Sequence, residues 1–220
     1  MATALVTGAN RGIGLELCRQ LAARGDQVIA VCRKAGPDLD KLGVRVEQGV
    51  DIADADSVEA LARRLEGVSL DLLLNNAGVL GQEGLDHLDF EAIRRQFEVN
   101  ALGPLRVTAA LLPLLSKGSK VAIVSSRMGS IADNSSGGSY GYRMSKAAVN
   151  AAGRSLANDL AMRGIAVVIL HPGFVRTAMT GHNGMVDPPE SARGLLARID
   201  ELGLKSTGRF MHMSGEELPW

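Results

Sequence analysis

Short apolar runs alternate along the chain with longer segments in which apolar residues recur at helical spacing. The run QVIAVC, residues 27–32, has no polar alternation, so a strand there would be buried on both faces. Between residues 12 and 24, Ile13, Leu17 and Leu21 lie on one stripe of a helix, and Gly25 is placed to end it. Strands buried on both faces and joined by such helices pack as a parallel sheet covered on both sides.

The same pattern, followed along the whole chain, predicts about seven strands separated by helices. The predicted strands span residues 2–7, 27–32, 44–48, 70–74, 120–124, 165–170 and 209–213. The predicted helices span residues 12–24, 57–65, 89–115 with an interruption near Gly103 and Pro104, 139–160 and 189–202. We predict an α/β fold, a doubly wound (Rossmann) parallel sheet of about seven strands with helices on both faces. No repeat, low-complexity tract or linker divides residues 1–220, so we expect a single domain.

Composition excludes several classes of function. Acidic and basic residues balance at 24 each, which offers no basic surface for nucleic acid and no cationic face for a membrane. No apolar run approaches the roughly 20 residues that span a bilayer, and the chain enters a strand-like segment too early for a signal peptide. Cys18 and Cys32 fit reduced thiols, and the four histidines lack metal-ligand spacing. We expect a cytoplasmic protein without a metal.

The loop after the first strand is rich in glycine and leads directly into a helix. Its Gly8, Gly12 and Gly14 have the spacing Gly-x-x-x-Gly-x-Gly, which permits a tight turn and a close approach of a pyrophosphate to the helix N-terminus. An ordinary glycine-rich turn would look the same. Its place in the first strand–helix unit, at the edge of the sheet where such proteins bind ligands, favours nucleotide binding.

The end of the second strand bears on the choice of nucleotide. Sites that prefer NAD place an acidic residue there for the ribose hydroxyls, but this strand ends Cys32-Arg33-Lys34 and no carboxylate follows until Asp38. A guanidinium suits a 2′-phosphate, and Arg11 could supply a second charge. The alternative is a pair of solvated surface cations. Because the acid is missing, we expect NADP(H) to be preferred over NAD(H).

Tyr142 and Lys146 are separated by four residues on a predicted helix. Four residues make one turn plus about 40°, so both side chains lie on one face. A free phenol has a pKa near about 10, and a neighbouring ammonium favours the phenolate. The pair is a plausible acid/base, although Tyr-x-x-x-Lys also occurs by chance on helix surfaces.

Several motifs that are weak singly occur together in a characteristic order. They are Thr-Gly-x-x-x-Gly-x-Gly, Asn-Asn-Ala-Gly, a serine pair after the fifth strand, Tyr-x-x-x-Lys and Pro-Gly-x-Val-x-Thr, between residues 7 and 177. In this order the chain resembles the short-chain dehydrogenase/reductase family over nearly its whole length. The segments TGANRGIG, SIADNSSGGSYGYRMSK, HPGFVRT and SGEELPW are most similar to the C-factor and sniffer-type carbonyl reductases within it.

The resemblance implies a catalytic tetrad and a cofactor site within a dinucleotide-binding catalytic domain. The implied catalytic residues are Asn100, Ser126, Tyr142 and Lys146. Tyr142 would protonate the carbonyl oxygen, Lys146 would lower the phenol pKa and hold the nicotinamide ribose, Ser126 would bind the substrate oxygen, and Asn100 would position a water. The implied cofactor residues are Gly8, Arg11, Gly12, Ile13, Gly14, Arg33, Asp51, Asn76, Ala77, Gly78, Tyr142, Lys146, Pro172, Gly173, Val175 and Thr177.

One of these assignments has a competitor in the sequence. Ser125 precedes Ser126, and the family position is the second residue of such a pair. The interval from Ser126 to Tyr142 is longer than is usual in the family, and we expect the excess to lie in residues 134–138, a glycine-rich loop.

The implied function is NADPH-dependent reduction of small aldehydes and ketones. Only residues 178–187 form the variable lid after the Pro-Gly turn, and so short a lid suggests an open, permissive pocket. The alternative is an NAD(P)-binding signalling protein of the C-factor type with incidental or no catalysis. We also expect a homo-oligomer, because small residues along the Tyr142 helix would permit close helix packing.

Overall fold

All 220 residues are described by the structure, a computed structural model, and they form one seven-stranded sheet. Every pairing is parallel, and the strand order is β3-β2-β1-β4-β5-β6-β7. The strands are β1 Thr3–Thr7, β2 Gln27–Val31, β3 Arg45–Glu47, β4 Leu70–Asn75, β5 Leu115–Val124, β6 Ala166–His171 and β7 Arg209–His212. The predicted doubly wound parallel sheet of about seven strands is confirmed.

Helices cover both faces of this sheet. They are α1 Gly12–Ala23, α2 Pro37–Asp40, α3 Ala55–Arg64, α4 Phe90–Phe97, α5 Gly103–Leu111, α6 Tyr140–Ala161 and α7 Pro188–Asp200. Alternate residues of one strand enter different cores: Ala4 and Val6 pack with α1 and α7, whereas Leu5 packs with α3, α5 and α6. This two-sided burial is the physical reason that the strands are apolar without alternation. None of the helices has both the length and the apolar character required to cross a bilayer.

The interruption predicted near Gly103 and Pro104 is a π-helical turn, Glu98–Leu102, between α4 and α5. Pro104 has no N–H, so the α-helical ladder loses a donor there, and the Gly103 N–H reaches the Glu98 carbonyl five residues back. The turn brings Asn100, which is fully buried, to the inner side of the helix.

Other boundaries differ from the predictions in ways that local chemistry explains. The helical stretch predicted to reach residue 115 leaves the α-helix at Leu111, and Leu115 already pairs with Leu70 at the start of β5. The pairing register shifts between Leu70 and Leu72, which accommodates the extra residues before the predicted strand start. The short helix α2 was not predicted, because its four residues are too few to show helical periodicity.

The chain returns to the sheet after β7. Met211 pairs antiparallel with Glu217, and the rings of Phe210 and Trp220 stack with centroids 5.5 Å apart. The carbonyl of Trp220 accepts hydrogen bonds from the N–H groups of Ile131 and Ala132, at 2.9 and 3.0 Å. The last residues therefore support the loop that follows β5.

Candidate active site

A cleft of about 390 Å³ opens at the carboxyl edge of the sheet, where the loops after β1 to β6 meet. The predicted site residues that do not line it are Asn100, Ser126, Gly173 and Val175, and every other predicted site residue does. The chain therefore brings residues from six separate loops to one place.

The glycine turn after β1 is packed so closely that its glycines cannot carry side chains. Gly8 has φ +67°, and a Cβ on it would lie 2.8 Å from the Cα of Ala77. A Cβ on Gly14 would lie 2.2 Å from the carbonyl oxygen of Gly8 and 2.5 Å from Nδ2 of Asn76. These contacts join the turn, the start of α1 and the loop after β4 into one rigid unit.

The N-terminus of α1 leaves its donors free. The N–H groups of Gly12, Ile13 and Gly14 donate to no acceptor in the protein, and the N-cap residue Arg11 makes no side-chain cap. No acidic residue lies in the first turn. Free N–H groups at the positive end of a helix dipole, facing a cleft, suit a phosphate.

Thr7 connects the loops after β1 and β4. Its Oγ1 accepts hydrogen bonds from the N–H groups of Asn76 and Ala77, at 3.0 and 3.1 Å, and its carbonyl accepts one from Asn76 Nδ2 at 3.0 Å. Asn76 is therefore held by both strand ends, as expected of an amide that ties strands together. Thr7 itself was not predicted as a site residue, although it directly precedes the glycine turn.

Arg11 and Arg33 line the cleft, and Lys34 follows Arg33 in the loop after β2. All three are exposed, and their side chains make no ion pair and donate no hydrogen bond within the protein. Asn10, which sequence reasoning missed, donates from Nδ2 to the carbonyl of Lys34 at 3.0 Å and so fixes this loop beside the glycine turn. The nearby carboxylate of Asp38 is already paired with Lys41 at 3.0 Å.

Asp51 lines the same cleft from the loop after β3, which is bonded to the loop of Arg33 through the Gly49 N–H and the Arg33 carbonyl at 3.0 Å. Its Oδ1 accepts a hydrogen bond from the Ala53 N–H and its own N–H donates to Ser57 Oγ, both at 3.0 Å. These two bonds fix its backbone, while the carboxylate keeps a second oxygen at the cleft wall.

Lys146 and Tyr142 lie one turn apart on α6, with the ammonium 5.7 Å from the centroid of the phenol ring. Lys146 is 4% exposed, and its Nζ donates to the carbonyl of Val124 at 2.9 Å. Burial lowers the pKa of Lys146 from its ordinary 10.5 to about 8. A Cβ on Gly78 would approach both Nζ, at 3.7 Å, and Asn100 Oδ1, at 3.2 Å, so the glycine keeps this side of the lysine open.

The direction of the Tyr142 pKa differs from the sequence expectation. Burial raises the pKa of Tyr142, and a hydrogen bond with Ser126 opposes that rise without reversing it. The spacing of Tyr142 and Lys146 indicates a neighbouring charge but not the desolvation of the phenol, which is the largest influence in this structure. Tyr142 is consequently a protonated phenol at neutral pH.

The two serines after β5 point in different directions. Ser125 Oγ bonds Oδ1 of Asn150 on α6 and is 2% exposed. Ser126 caps the short 3₁₀ turn Arg127–Gly129 by accepting from the Met128 N–H at 3.2 Å, and it is the serine that opposes the rise in the pKa of Tyr142. Ser125 lines the cleft and Ser126 does not, but the hydroxyl of Ser125 is already bonded to Asn150. The assignment of the catalytic serine to Ser126 stays a prediction.

Asn100 uses its side chain to tie three elements together. Its Oδ1 accepts from the Val79 N–H and its Nδ2 donates to the Val79 carbonyl, both at 2.8 Å. The second hydrogen of Nδ2 goes to Ser145 Oγ at 3.0 Å, and Ser145 in turn donates to the carbonyl of Tyr142 at 2.8 Å. Both amide hydrogens are committed, so Asn100 holds the loop after β4 and the backbone of Tyr142. Its predicted role with a water stays a prediction.

The loop after β6 closes the cleft from the other side. Gly173 has φ +84°, Val175 is buried and bridges to Val186, and Thr177 begins a 3₁₀ turn, Ala178–Thr180. A Cβ on Gly12 would lie 3.4 Å from Thr177 Cγ2, so this loop reaches the glycine turn. Two further cleft-lining residues, Ala178 and Met179, follow in that 3₁₀ turn.

His171 at the end of β6 was not predicted, and it departs from ordinary histidine chemistry. Burial, with His212 and Arg127 nearby, lowers the pKa of His171 to about 3, so the ring is neutral. Its Nδ1 is buried without a hydrogen-bond partner, and the His212 ring lies 5.1 Å away. Nothing in the sequence distinguishes His171 from an ordinary exposed histidine at the end of a strand.

Sequence comparison gives one family and named relatives. The family model for short chain dehydrogenase matches residues 2–185. The chain is 47% identical to 1-hydroxy-2-glutathionyl-2-methyl-3-butene dehydrogenase of Rhodococcus sp. (strain AD45), over 100% of both chains. It is 50% identical to C-signal of Myxococcus xanthus over 69% of this chain and 93% of that protein.

Solved structures of carbonyl reductases superpose on the whole chain. The carbonyl reductase Sniffer of Drosophila melanogaster has a TM-score of 0.94 at 31% identity and covers 100% of both chains. The NADPH-bound carbonyl reductase from chicken fatty liver has a TM-score of 0.90 at 32% identity and covers 100% of this chain and 99% of that one. The likeness to sniffer-type carbonyl reductases inferred from the sequence is confirmed.

Proposed function

This chain belongs to the short chain dehydrogenase family, and on that premise we propose that it is an NADPH-dependent reductase of small aldehydes and ketones. One observation carries the proposal. Tyr142, whose pKa Ser126 influences and which lies one turn from Lys146, lines the same cleft as the free N–H groups of the glycine turn. Carbonyl reduction needs a proton donor and a bound dinucleotide, and this cleft offers a donor together with a binding site for the dinucleotide.

The residues of the cleft fit a nicotinamide dinucleotide. The N–H groups of Gly12, Ile13 and Gly14 would hold the pyrophosphate, since they are free and lie at a helix N-terminus. Asp51 would bond the adenine edge, and Lys146 would reach the nicotinamide ribose. NADPH, when bound, would supply the hydride.

We assign the remaining cofactor contacts to the two loops that flank these residues. Asn76, Ala77 and Gly78 would pass the ribose on one side. Pro172, Gly173, Val175 and Thr177 would hold the nicotinamide end on the other. These assignments rest on the positions of the two loops. The N–H groups of Asn76 and Ala77 are bonded to Thr7, and Thr177 lies against Gly12.

We propose that NADP(H) is preferred over NAD(H). The support is the set of unpaired cations Arg11, Arg33 and Lys34, together with the pairing of Asp38, the first carboxylate after β2, with Lys41. These cations would repel one another less with a 2′-phosphate between them. The NADPH in the chicken carbonyl reductase is consistent with this preference.

Tyr142 would act as the general acid. Because burial raises its pKa, the phenol holds its proton at neutral pH and can donate it to the carbonyl oxygen as charge develops there. Ser126 would donate to the same oxygen. Lys146, with a pKa of about 8, is mostly cationic at pH 7 and would stabilise the phenolate that remains.

The lid beside the cleft bears on the substrate class. The lid of residues 178–187 is short, and Met179 lines the cleft while 42% exposed, which supports an open apolar pocket. The Rhodococcus relative, by its name, dehydrogenates a glutathionyl alcohol. Because the same acid and base serve both directions, alcohol oxidation belongs in the same test.

A second candidate function rests on the likeness to C-signal. That relative supports an NAD(P)-binding signalling protein with incidental or no catalysis. The complete set of Asn100, Ser126, Tyr142 and Lys146 favours the enzyme, because binding alone does not require a proton donor.

We further propose that the chain is a homo-oligomer. The small residues Ala151 and Ser155 on α6 are exposed, and such a face permits close packing of two helices. Light scattering of the purified protein tests this independently of activity.

The function is tested by the loss of NADPH absorbance with aldehydes, ketones and diketones, and by NADP⁺ reduction with glutathionyl alcohols. NADH and NAD⁺ are run alongside. Turnover favouring the phosphorylated cofactor supports the proposal. Tight NADPH binding without turnover in either direction would favour the signalling function.

A further inference from the structure

The first turn of α6 lacks a cap from its own sequence. Ser139, the N-cap residue, has φ +47° and makes no side-chain bond to the helix. That turn carries Tyr142, the third residue of the helix. A helix start without a cap frays, and fraying here would move the phenol relative to the cleft.

The missing cap comes from Glu83, in the loop after β4. Its carboxylate Oε2 accepts from the Gly141 N–H at 3.3 Å, and its carbonyl accepts from the Ser139 N–H at 2.8 Å. Glu83 is 7% exposed and forms no ion pair. The positive end of the helix dipole and converging N–H groups therefore stabilise its charge.

Gln96 on α4 fixes the orientation of that carboxylate. Its Nε2 donates to Glu83 Oε1, and its own Oε1 accepts from the Gly81 N–H at 2.8 Å. The bonds form one chain, from the Gly81 N–H through Gln96 to Glu83 and on to the Gly141 N–H. Each donor meets an acceptor, and every member is buried or partly buried.

Close packing fixes the positions of the side chains in this series of hydrogen bonds. A Cβ on Gly141 or on Gly81 would lie 2.4 Å from Nε2 of Gln96. Gln96 therefore fills the space that two glycines leave, and the first turn of α6 rests directly on it.

We propose that Glu83, held by Gln96, is a positioning residue that fixes the first turn of α6 and thereby the phenol of Tyr142. The effect of Glu83 on reaction rate rests on the proposed function. Its effect on the position of the phenol does not.

Exchanging the two side chains gives a sharp test. Glu83→Gln alone puts an amide where two donors converge. Gln96→Glu alone puts two carboxylates together. Each single variant therefore interrupts the series of hydrogen bonds. In the double variant the carboxylate now on α4 accepts from the Gly81 N–H and from the amide that replaces the Glu83 carboxylate. The oxygen of that amide accepts from the Gly141 N–H. Only the marginal bond from Gln96 Nε2 to the Ala92 carbonyl, 3.3 Å, is lost.

We expect each single variant to lower kcat by roughly ten- to a hundredfold, the cost of misplacing a reacting group by about an ångström. The KM for NADPH should change by less than about threefold. The double variant should recover most of the loss. Asp89→Ala, which removes the exposed cap of α4, is the matched control: it lowers stability and leaves kcat near that of the wild type.

A second readout does not require turnover. The chain has 2 tyrosines, so in a Tyr140→Phe background the ultraviolet titration reports Tyr142 alone. Glu83→Ala should lower the raised pKa of Tyr142 toward its ordinary value as water enters the first turn, whereas Asp89→Ala should not. An unchanged pKa together with an unchanged kcat in Glu83→Ala overturns the inference. If the wild-type protein reduces no carbonyl, the proposed function fails and the titration still decides the position of Tyr142.

Discussion

Burying Lys146 costs folding free energy, and the cost has a defined dependence on pH. The side chain is 4% exposed, and its pKa falls from 10.5 to about 8 in the folded protein. A pKa difference of one between the folded and unfolded states corresponds to about 1.4 kcal/mol, so holding the charged lysine in place costs about 3 kcal/mol at pH 7. Between pH 8 and pH 10.5 the unfolded chain binds more protons than the folded one, and the cost declines as pH rises.

Lys146→Met removes this cost while keeping an unbranched apolar stem. The substitution leaves the Val124 carbonyl, now bonded to Nζ at 2.9 Å, without its donor, which offsets about 1–3 kcal/mol of the gain. That loss does not depend on pH. The stability of the variant relative to the wild type should therefore fall by about 2 kcal/mol between pH 7 and pH 9.5, while turnover is lost at both.

Urea unfolding at the two pH values measures this difference directly. Lys117→Met is the matched control, because Lys117 is exposed and its ammonium is solvated in both states. Its difference from the wild type should be the same at both pH values. If the difference between Lys146→Met and the wild type were also constant with pH, the lysine would not be desolvated as the structure indicates, and the reasoning would be wrong.

Two further predictions concern the cofactor cleft. Arg33→Ala should raise the KM for NADPH about ten- to a hundredfold, the value of a charge-assisted bond to phosphate, and leave the KM for NADH nearly unchanged; an equal rise for both would contradict a 2′-phosphate contact. Gly14→Ala should abolish NADPH binding by calorimetry, since its Cβ would lie 2.2 Å from the Gly8 carbonyl, whereas Gly36→Ala, with nothing within 4 Å, should bind normally. Normal binding by Gly14→Ala would show that the turn relaxes.

The fold followed from the sequence because its signals are strong and local. Uninterrupted apolar strands, such as residues 27–32, predicted a two-sided core, and Leu5 and Val6 indeed enter opposite cores. The glycine turn was equally readable, because the close approach of Gly14 to Gly8 can be made only without a side chain.

What the sequence did not indicate depends on tertiary contacts. The π-helical turn at Asn100 is set by Pro104 together with the bonds from Asn100 to Val79 and Ser145, and only the proline is visible in the sequence. The cap of α6 comes from Glu83, 58 residues away, which no local pattern marks.

The pKa of Tyr142 was predicted in the wrong direction for the same reason. Sequence spacing placed the charge of Lys146 one turn away, but the spacing carries no information on how far the phenol is removed from water. Desolvation is the largest influence on the pKa of Tyr142 in the folded protein. A titrating group can be located from sequence, whereas its pKa requires the fold.

The central claim, that Tyr142 delivers the proton to a carbonyl oxygen, is tested most directly by Tyr142→Phe. This change removes the hydroxyl and leaves the ring, and Tyr140→Phe, two residues earlier, is the matched control. With NADPH and the best carbonyl substrate, Tyr142→Phe should lower kcat by about a hundred- to ten-thousandfold while NADPH still binds, and the control should retain activity. Turnover by Tyr142→Phe within a few-fold of the wild type would contradict the account.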